Sequence, residues 1–139
     1  VDFVRWLVNS LQQGRQVRIV ADQYGNPTYV RDFVRNLYRL IDQNLTGLFH
    51  VAGNEWVSRY EFSMQIAANW NLDKNLIQQV STQDLAQKAP RPLKGGFVNL
   101  QLHSAIQCGF LPLALALAEV RSEFDNEQKN NGLENGSES

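Results

Sequence analysis

Cysteine is almost missing from this chain: Cys108 stands alone among 139 residues. A single thiol excludes an internal disulfide, which fits a reducing compartment, and Cys108, just before Gly109, reads as a small core filler. Histidine is scarce as well. His50 sits in an apolar run and His103 in a helical stretch, and neither has neighbours spaced as metal ligands. No sign of charge dominates, since 13 Lys/Arg face 14 Asp/Glu for a net −1, which argues against a dedicated nucleic-acid binder. No apolar run approaches the ~20 residues of a membrane span, and no signal-peptide pattern is visible. These absences place the chain in the cytoplasm, with neither nucleic acid nor membrane as partner.

What is present suffices for one domain, with 43% apolar residues to build a core. Charge divides unevenly. Residues 122–139 hold five acids and one Lys (−4), while residues 1–121 hold twelve Lys/Arg and nine Asp/Glu (+3). The mildly basic part suits an anionic small ligand, and from Asp125 the Asn, Glu, Gly and Ser composition predicts a disordered tail. The domain division is therefore 1–121 folded and 122–139 tail.

Phe3, Trp6, Leu7 and Leu11 predict a helix over 2–13 that stops at Gly14. Val17 to Ala21 predicts a strand. Asp32 is placed to cap a helix whose apolar face is Phe33, Val34, Leu37, Leu40 and Ile41. Leu48 to Val51 predicts a second buried strand. Ser58-Arg59-Tyr60-Glu61 is a capping box that opens a helix burying Phe62, Ile66, Ala67 and Trp70. Leu76 to Val80 predicts a third short extended piece, and Ser81 to Lys88 a short helix with Asp84 near its start. Ala89-Pro90-Arg91-Pro92 must be extended, because each proline biases its predecessor away from helix. Helical patterns return over roughly 100–108 and 113–124. Two or three short strands make a poor sheet alone, and Val1 falls inside a helical pattern, so the expectation is one lobe of something larger.

Two loops carry the chemistry. In residues 22–32, Gly25 and Pro27 fix the backbone, and around them stand Gln23, Tyr24, Asn26 and Thr28, which can hydrogen-bond or stack. Such a loop between strand and helix is either a turn with a helix cap or a set of ligand contacts. In residues 90–97, Arg91 lies between two prolines, and its planar guanidinium suits bidentate phosphate binding. Gly95-Gly96 exposes backbone N–H groups that can approach an anion. The alternative there is a solvent-facing loop with an ordinary surface arginine. Trp6, Trp56 and Trp70 are most simply packing residues, though Trp56, after Gly53-Asn54, also has a place at a cleft edge. Asn44-Leu45-Thr46 and Asn135-Gly136-Ser137 match glycosylation sequons, which carry no meaning without secretion.

Asp22 to Thr28, Gly47 to Gly53, Ser58 to Phe62 and Ala89 to Pro92 occur in one order. That series resembles the C-terminal half of the dTDP-4-dehydrorhamnose reductase family, within the extended short-chain dehydrogenases/reductases. The resemblance covers nearly all of residues 1–121. It implies an α/β fold: a helix-rich substrate-binding lobe plus the last strands of an NAD(P)-binding Rossmann-type fold whose N-terminal part is absent. It also implies that Gln23, Tyr24, Gly25, Asn26 and Thr28 edge the substrate cleft, and that Arg91 reaches the nucleotide diphosphate. Phe49 to Gly53 would add a strand to the parallel sheet. Gly95-Gly96 and Val98-Asn99 depart from the family, where many members carry a Ser and then an Asp.

The superfamily's chemistry needs a Gly-rich turn for pyrophosphate and a Tyr with a Lys four residues on. Tyr24, Tyr29, Tyr38 and Tyr60 are followed instead by Thr28, Phe33, Asp42 and Met64, and no glycines fall in a G-x-G-x-x-G pattern. The resemblance thus implies a nucleotide-sugar substrate, dTDP-4-dehydrorhamnose foremost, and NADPH or NADH in the complete enzyme. This chain would carry neither catalytic residues nor a bound cofactor. Its partner would be the missing Rossmann half. An apolar surface around Trp6 and Phe33 would then be exposed, with poor solubility or a homodimer as the consequence. The rival is a non-catalytic binding module, resembling the regulatory subunit of methionine adenosyltransferase in the same superfamily. A free-standing helical interaction domain is the third reading.

Overall fold

The computed structural model describes residues 2–85, 89 and 91–134, with side chains placed as far as Glu127. Nine elements follow in order: α1 (Phe3–Gln12), β1 (Val17–Val20), β2 (Tyr24–Gly25), α2 (Val30–Asp42), β3 (Val57–Ser58), α3 (Arg59–Asn69), β4 (Ile77–Val80), α4 (Leu100–Ala105) and α5 (Leu113–Glu134). Short 3-10 turns occupy Lys74–Leu76 and Gln83–Leu85.

The main core grows from the apolar spacing of α1 and α3. Asp2 caps α1 by accepting the Arg5 N–H at 2.9 Å, and the helix turns Leu7, Val8 and Leu11 inward. The capping box starts α3 as its sequence predicts: Ser58 N–H donates to Glu61 at 2.7 Å, and Glu61 N–H to Ser58 Oγ at 3.1 Å. Behind it Ile66 and Ala67 are fully buried, with Phe62 and Trp70 packed partly against them. Both helices cover the parallel pair β1–β4, in register from Val17 opposite Ile77 to Val20 opposite Val80. Two parallel strands cannot be joined by a hairpin, and the crossover here contains α2 and α3. Leu113 and Leu117 of α5 close the cluster. Each side chain of this size contributes about 1.5–3 kcal/mol on full burial.

The structure corrects the sequence reading on the α2 side. Asp32 does not cap α2; Tyr29 holds that position, and Asp32 lies buried in the first turn. The buried face is Asp32, Asn36 and Leu40, while Phe33, Val34, Leu37 and Ile41 remain exposed. The polar face wins because it satisfies the turn before α5. Asp32 accepts the Leu111 N–H at 2.8 Å, and Asn36 exchanges hydrogen bonds with both backbone groups of Gly109 at 3.0 and 3.2 Å. Leu48 to Val51 forms no strand, and Leu48 is 76% exposed. Among the described residues no strand edge lies beside it to pair with.

Elsewhere the differences are local. A short antiparallel pair, β2 with β3, joins Tyr24 to Ser58 and Gly25 to Val57, which the sequence does not signal. The helix expected over Ser81 to Lys88 is a 3-10 turn in its described part, with residues 86–88 outside the described residues. Pro90 also lies outside them, and Arg91 and Pro92 are in no regular element. α5 continues to Glu134, past the predicted start of a disordered tail. Phe124, edge-on to Trp70, anchors the helix where the tail was expected to begin, and within the extension Glu127 pairs with Arg5 at 2.7 Å. Among the described residues no helix is long and apolar enough to cross a membrane.

Candidate functional site

Three loops meet at the C-terminal end of β1. Asp22 accepts both the backbone N–H of Thr82, at 3.0 Å, and its hydroxyl, at 2.7 Å. Those bonds hold its carboxyl below the usual range. Gln23 is buried, its amide donates to Thr82 Oγ1 at 3.0 Å, and its carbonyl accepts the Arg59 N–H at 2.9 Å. Tyr24 zips onto the arginine-bearing loop: its N–H donates to the Leu93 carbonyl at 2.7 Å, and its carbonyl accepts from Gly95 at 3.1 Å.

Asn26 staples all three loops. Its amide donates to the Gly53 carbonyl at 2.9 Å and accepts the Phe97 N–H at 2.9 Å. Gly53 and Gly96 permit this closeness. A Cβ on Gly53 would strike the Pro27 carbonyl oxygen, and one on Gly96, where φ is +123°, would strike the Asn26 amide. Asn99 completes the frame by pairing with both backbone groups of Ala52, at 2.6 and 3.2 Å. Side chains thus satisfy the backbone of residues 52–53 where no sheet does.

Between the loops and α3 lies a cavity of about 510 Å³. Gln23, Tyr24, Gly25, Asn26 and Arg91 all line it, so five of the six residues predicted as ligand contacts come together. Thr28 does not. Its hydroxyl donates to the Asn26 carbonyl and accepts the Gly53 N–H, both at 3.0 Å, and it faces an adjoining cavity of about 430 Å³. Trp56 does not line the cleft either. It stacks on Tyr24 at 4.5 Å and donates its indole N–H to the Gly95 carbonyl at 2.7 Å, itself remaining exposed. Phe3, Ser58, Arg59 and Phe62 line the cavity without having been singled out as contacts. Arg59 was legible only as part of a capping box, a local signal that says nothing about where its side chain goes.

Among the described residues no carboxylate lines this cavity, and the charged groups that do are Arg59 and Arg91. The geometry fits an anion attached to flat or apolar groups. Directly after β1, residues 21–24 hold no glycine, and the Asp22 carboxylate is turned to Thr82.

The remaining polar groups are ordinary. Tyr29 donates to Glu123 at 2.8 Å, and burial first, then that bond, pushes its phenol up to about 12. Cys108 packs beside the small cluster of Leu40, Leu102 and Ile106, and burial pushes its thiol up. Its sulfur lies 2.8 Å from His103 Nδ1, and among the described residues no third ligand completes a metal site.

Residues 1–125 match the family model described as RmlD substrate binding domain. Among curated proteins, the chain is 30% identical over 91 residues to the spore coat polysaccharide biosynthesis protein SpsK of Bacillus subtilis (strain 168), covering 66% of this chain and 31% of that protein. It is 31% identical over 91 residues to dTDP-4-dehydrorhamnose reductase of Mycobacterium tuberculosis, covering 65% of this chain and 30% of that protein. Among solved structures, dTDP-4-dehydrorhamnose reductase of Bacillus anthracis in complex with NADP superposes with a TM-score of 0.78 at 29% identity, over 88% of this chain and 43% of that one. The chain therefore spans about a third of those two curated relatives and less than half of the solved reductase. The α/β architecture expected from the sequence is the one these reductases carry.

Proposed function

The chain belongs to the RmlD substrate-binding domain family, and from that membership we propose that it is the lobe that binds the nucleotide sugar in a dTDP-4-dehydrorhamnose reductase-like enzyme. One observation carries the reading. Gln23, Tyr24, Gly25 and Asn26 converge with Arg91 on one cavity that no carboxylate lines among the described residues. Arg91 binds the diphosphate, Tyr24 and the Gly25–Pro27 backbone present flat surface to the nucleoside or sugar, and Asn26 ties the loops together around the cavity. Holding a reactant in place is a large part of such catalysis.

In this reading NADPH or NADH is held by a further half of the protein, and it supplies hydride to the keto group. That half docks on the α2 side. Phe33, Val34, Leu37 and Ile41 form an apolar stripe that stays exposed among the described residues, and Leu48 to Val51, strand-like in sequence, is in no regular element. An apolar helix face left exposed, with a strand-like sequence left without a pairing partner, is what the loss of a covering half would leave.

Calorimetric titration of the full 139-residue chain with dTDP tests the site. Saturable binding is expected, weakened tenfold or more in Arg91→Ala. A folded chain that takes up no dTDP at millimolar concentration overturns the reading.

A further inference from the structure

The 510 Å³ cavity is not alone: a second, of about 270 Å³, adjoins it, and Phe3, Gln23, Arg59 and Arg91 line both. Those four residues form the waist of one two-lobed cleft. Arg18 adds a third guanidinium in the smaller lobe, and among the described residues no carboxylate lines either lobe. Arg18 is partly engaged, donating to the Asp84 carbonyl at 3.1 Å. Arg59 and Arg91 are different. Among the described residues neither forms an ion pair, whereas Arg5, Arg31 and Arg35 each do.

Arg59 is also held in place. Its N–H bonds to the Gln23 carbonyl at 2.9 Å, and its guanidinium lies over the Phe3 ring at 5.2 Å. Contact through the face leaves the N–H edge of the guanidinium available to an acceptor. The start of α3 offers no rival anion site, because the Ser58–Glu61 capping box already satisfies its donors. An unpaired, oriented guanidinium on an acid-free wall is matched by a phosphate.

We propose that Arg59 is a second phosphate-binding residue, which with Arg91 grips the two phosphates of a diphosphate at the waist and leaves one lobe for each end of the ligand. This rests on the nucleotide-sugar reading of the cleft. Two cations facing one cleft select a diphosphate over a monophosphate, and neither is needed for an uncharged nucleoside.

The full chain is titrated with dTDP, dTMP and thymidine, in wild type, Arg59→Ala, Arg59→Lys and Arg91→Ala. Arg59 is exposed, so its variants are checked for unchanged circular dichroism and melting. Arg59→Ala is expected to weaken dTDP about tenfold or more, with less loss for dTMP and none for thymidine; Arg59→Lys recovers part of the loss, and the salt dependence of dTDP binding becomes shallower in Arg59→Ala. Wild-type dTDP affinity in Arg59→Ala, beside a weakened Arg91→Ala, overturns the role of Arg59 and leaves the site standing. Equal losses for dTDP and thymidine also overturn it, because Arg59 would then only shape the wall. If the folded wild type binds no dTDP, the site itself falls and the proposal falls with it.

Discussion

The two sides of this molecule are built by different means. On one side α1, α3, β1, β4 and the start of α5 interlock through Leu7, Val8, Ile19, Ile66 and Leu117, all buried. On the other, α2 and α4 share a small cluster of Leu40, Leu102 and Ile106, and polar clamps from Asp32, Asn36 and Asn99 hold the surrounding backbone. The first side buries its apolar core within this chain, with Trp6 of α1 left 42% exposed. The second shows apolar side chains outward and polar ones inward. Apolar burial is non-directional and sets stability, whereas hydrogen-bonded clamps contribute less net energy and fix shape. The site lies between them, with α3 and β1 from the stable side and the loops from the clamped side.

The largest expected effect breaks the first side. Ile66→Ala removes a fully buried side chain between helices and sheet, at a cost of about 2–5 kcal/mol. Urea denaturation measures it. A loss under 1 kcal/mol would mean that the two sides do not differ as described. Next comes Asn36→Leu, which keeps the bulk but strips partners from both backbone groups of Gly109. Gly109 is only half-buried, so water offsets part of the loss and the net cost is about 1–3 kcal/mol; exchange protection of the Gly109 amide should fall with it. Ser58→Ala is smaller, about 1 kcal/mol for a lost helix cap, read from the shift in urea midpoint.

Smaller still, and visible only in acid, is the contribution of Asp22. Its folded-state pKa is depressed, chiefly by the Thr82 backbone N–H, so its stabilisation is full above the unfolded value of about 3.9. That stabilisation fades as pH falls through the lower folded value. Stability measured from pH 5 down to pH 2 should decline less steeply in Asp22→Asn than in wild type. Parallel curves would remove Asp22 as the anchor of the loop.

Much of the first side was legible in the sequence because its signals are local. The capping box at Ser58 and Glu61, the spacing of Leu7 and Leu11, and the β-branched run from Val17 each act within a few residues. The second side was misread for a physical reason. Phe33, Val34, Leu37 and Ile41 have helical periodicity, and periodicity reports that a face is apolar, not that its cover lies in this chain. Asp32 and Asn36 look like solvent-facing residues, and only the return of Gly109 and Leu111 beside α2 makes them interior. Leu48 to Val51 has strand composition, but a strand also needs an edge to pair with. At the site, the loop around Gly25 and Pro27 was found because it constrains the backbone, while Arg59 was hidden inside a cap motif.

The smallest effect on this chain is expected at the apolar stripe, and it is the one that sharpens the comparison most. Ile41 is 62% exposed, so Ile41→Gln should change the stability of the 139-residue chain by no more than about 0.5 kcal/mol. Leu37 and Phe33 lie one and two helical turns before it on the same stripe, and their Gln substitutions should be equally quiet. All three should lessen self-association in sedimentation, since an uncovered apolar stripe is what drives it. If instead Ile41→Gln destabilises the chain as much as Asn36→Leu, then α2 buries that stripe on its own, and the docking surface for a further half is lost. If it is neutral for the chain but weakens a complex with a supplied NAD(P)H-binding half, the same residue separates what the lobe needs to fold from what it needs to join.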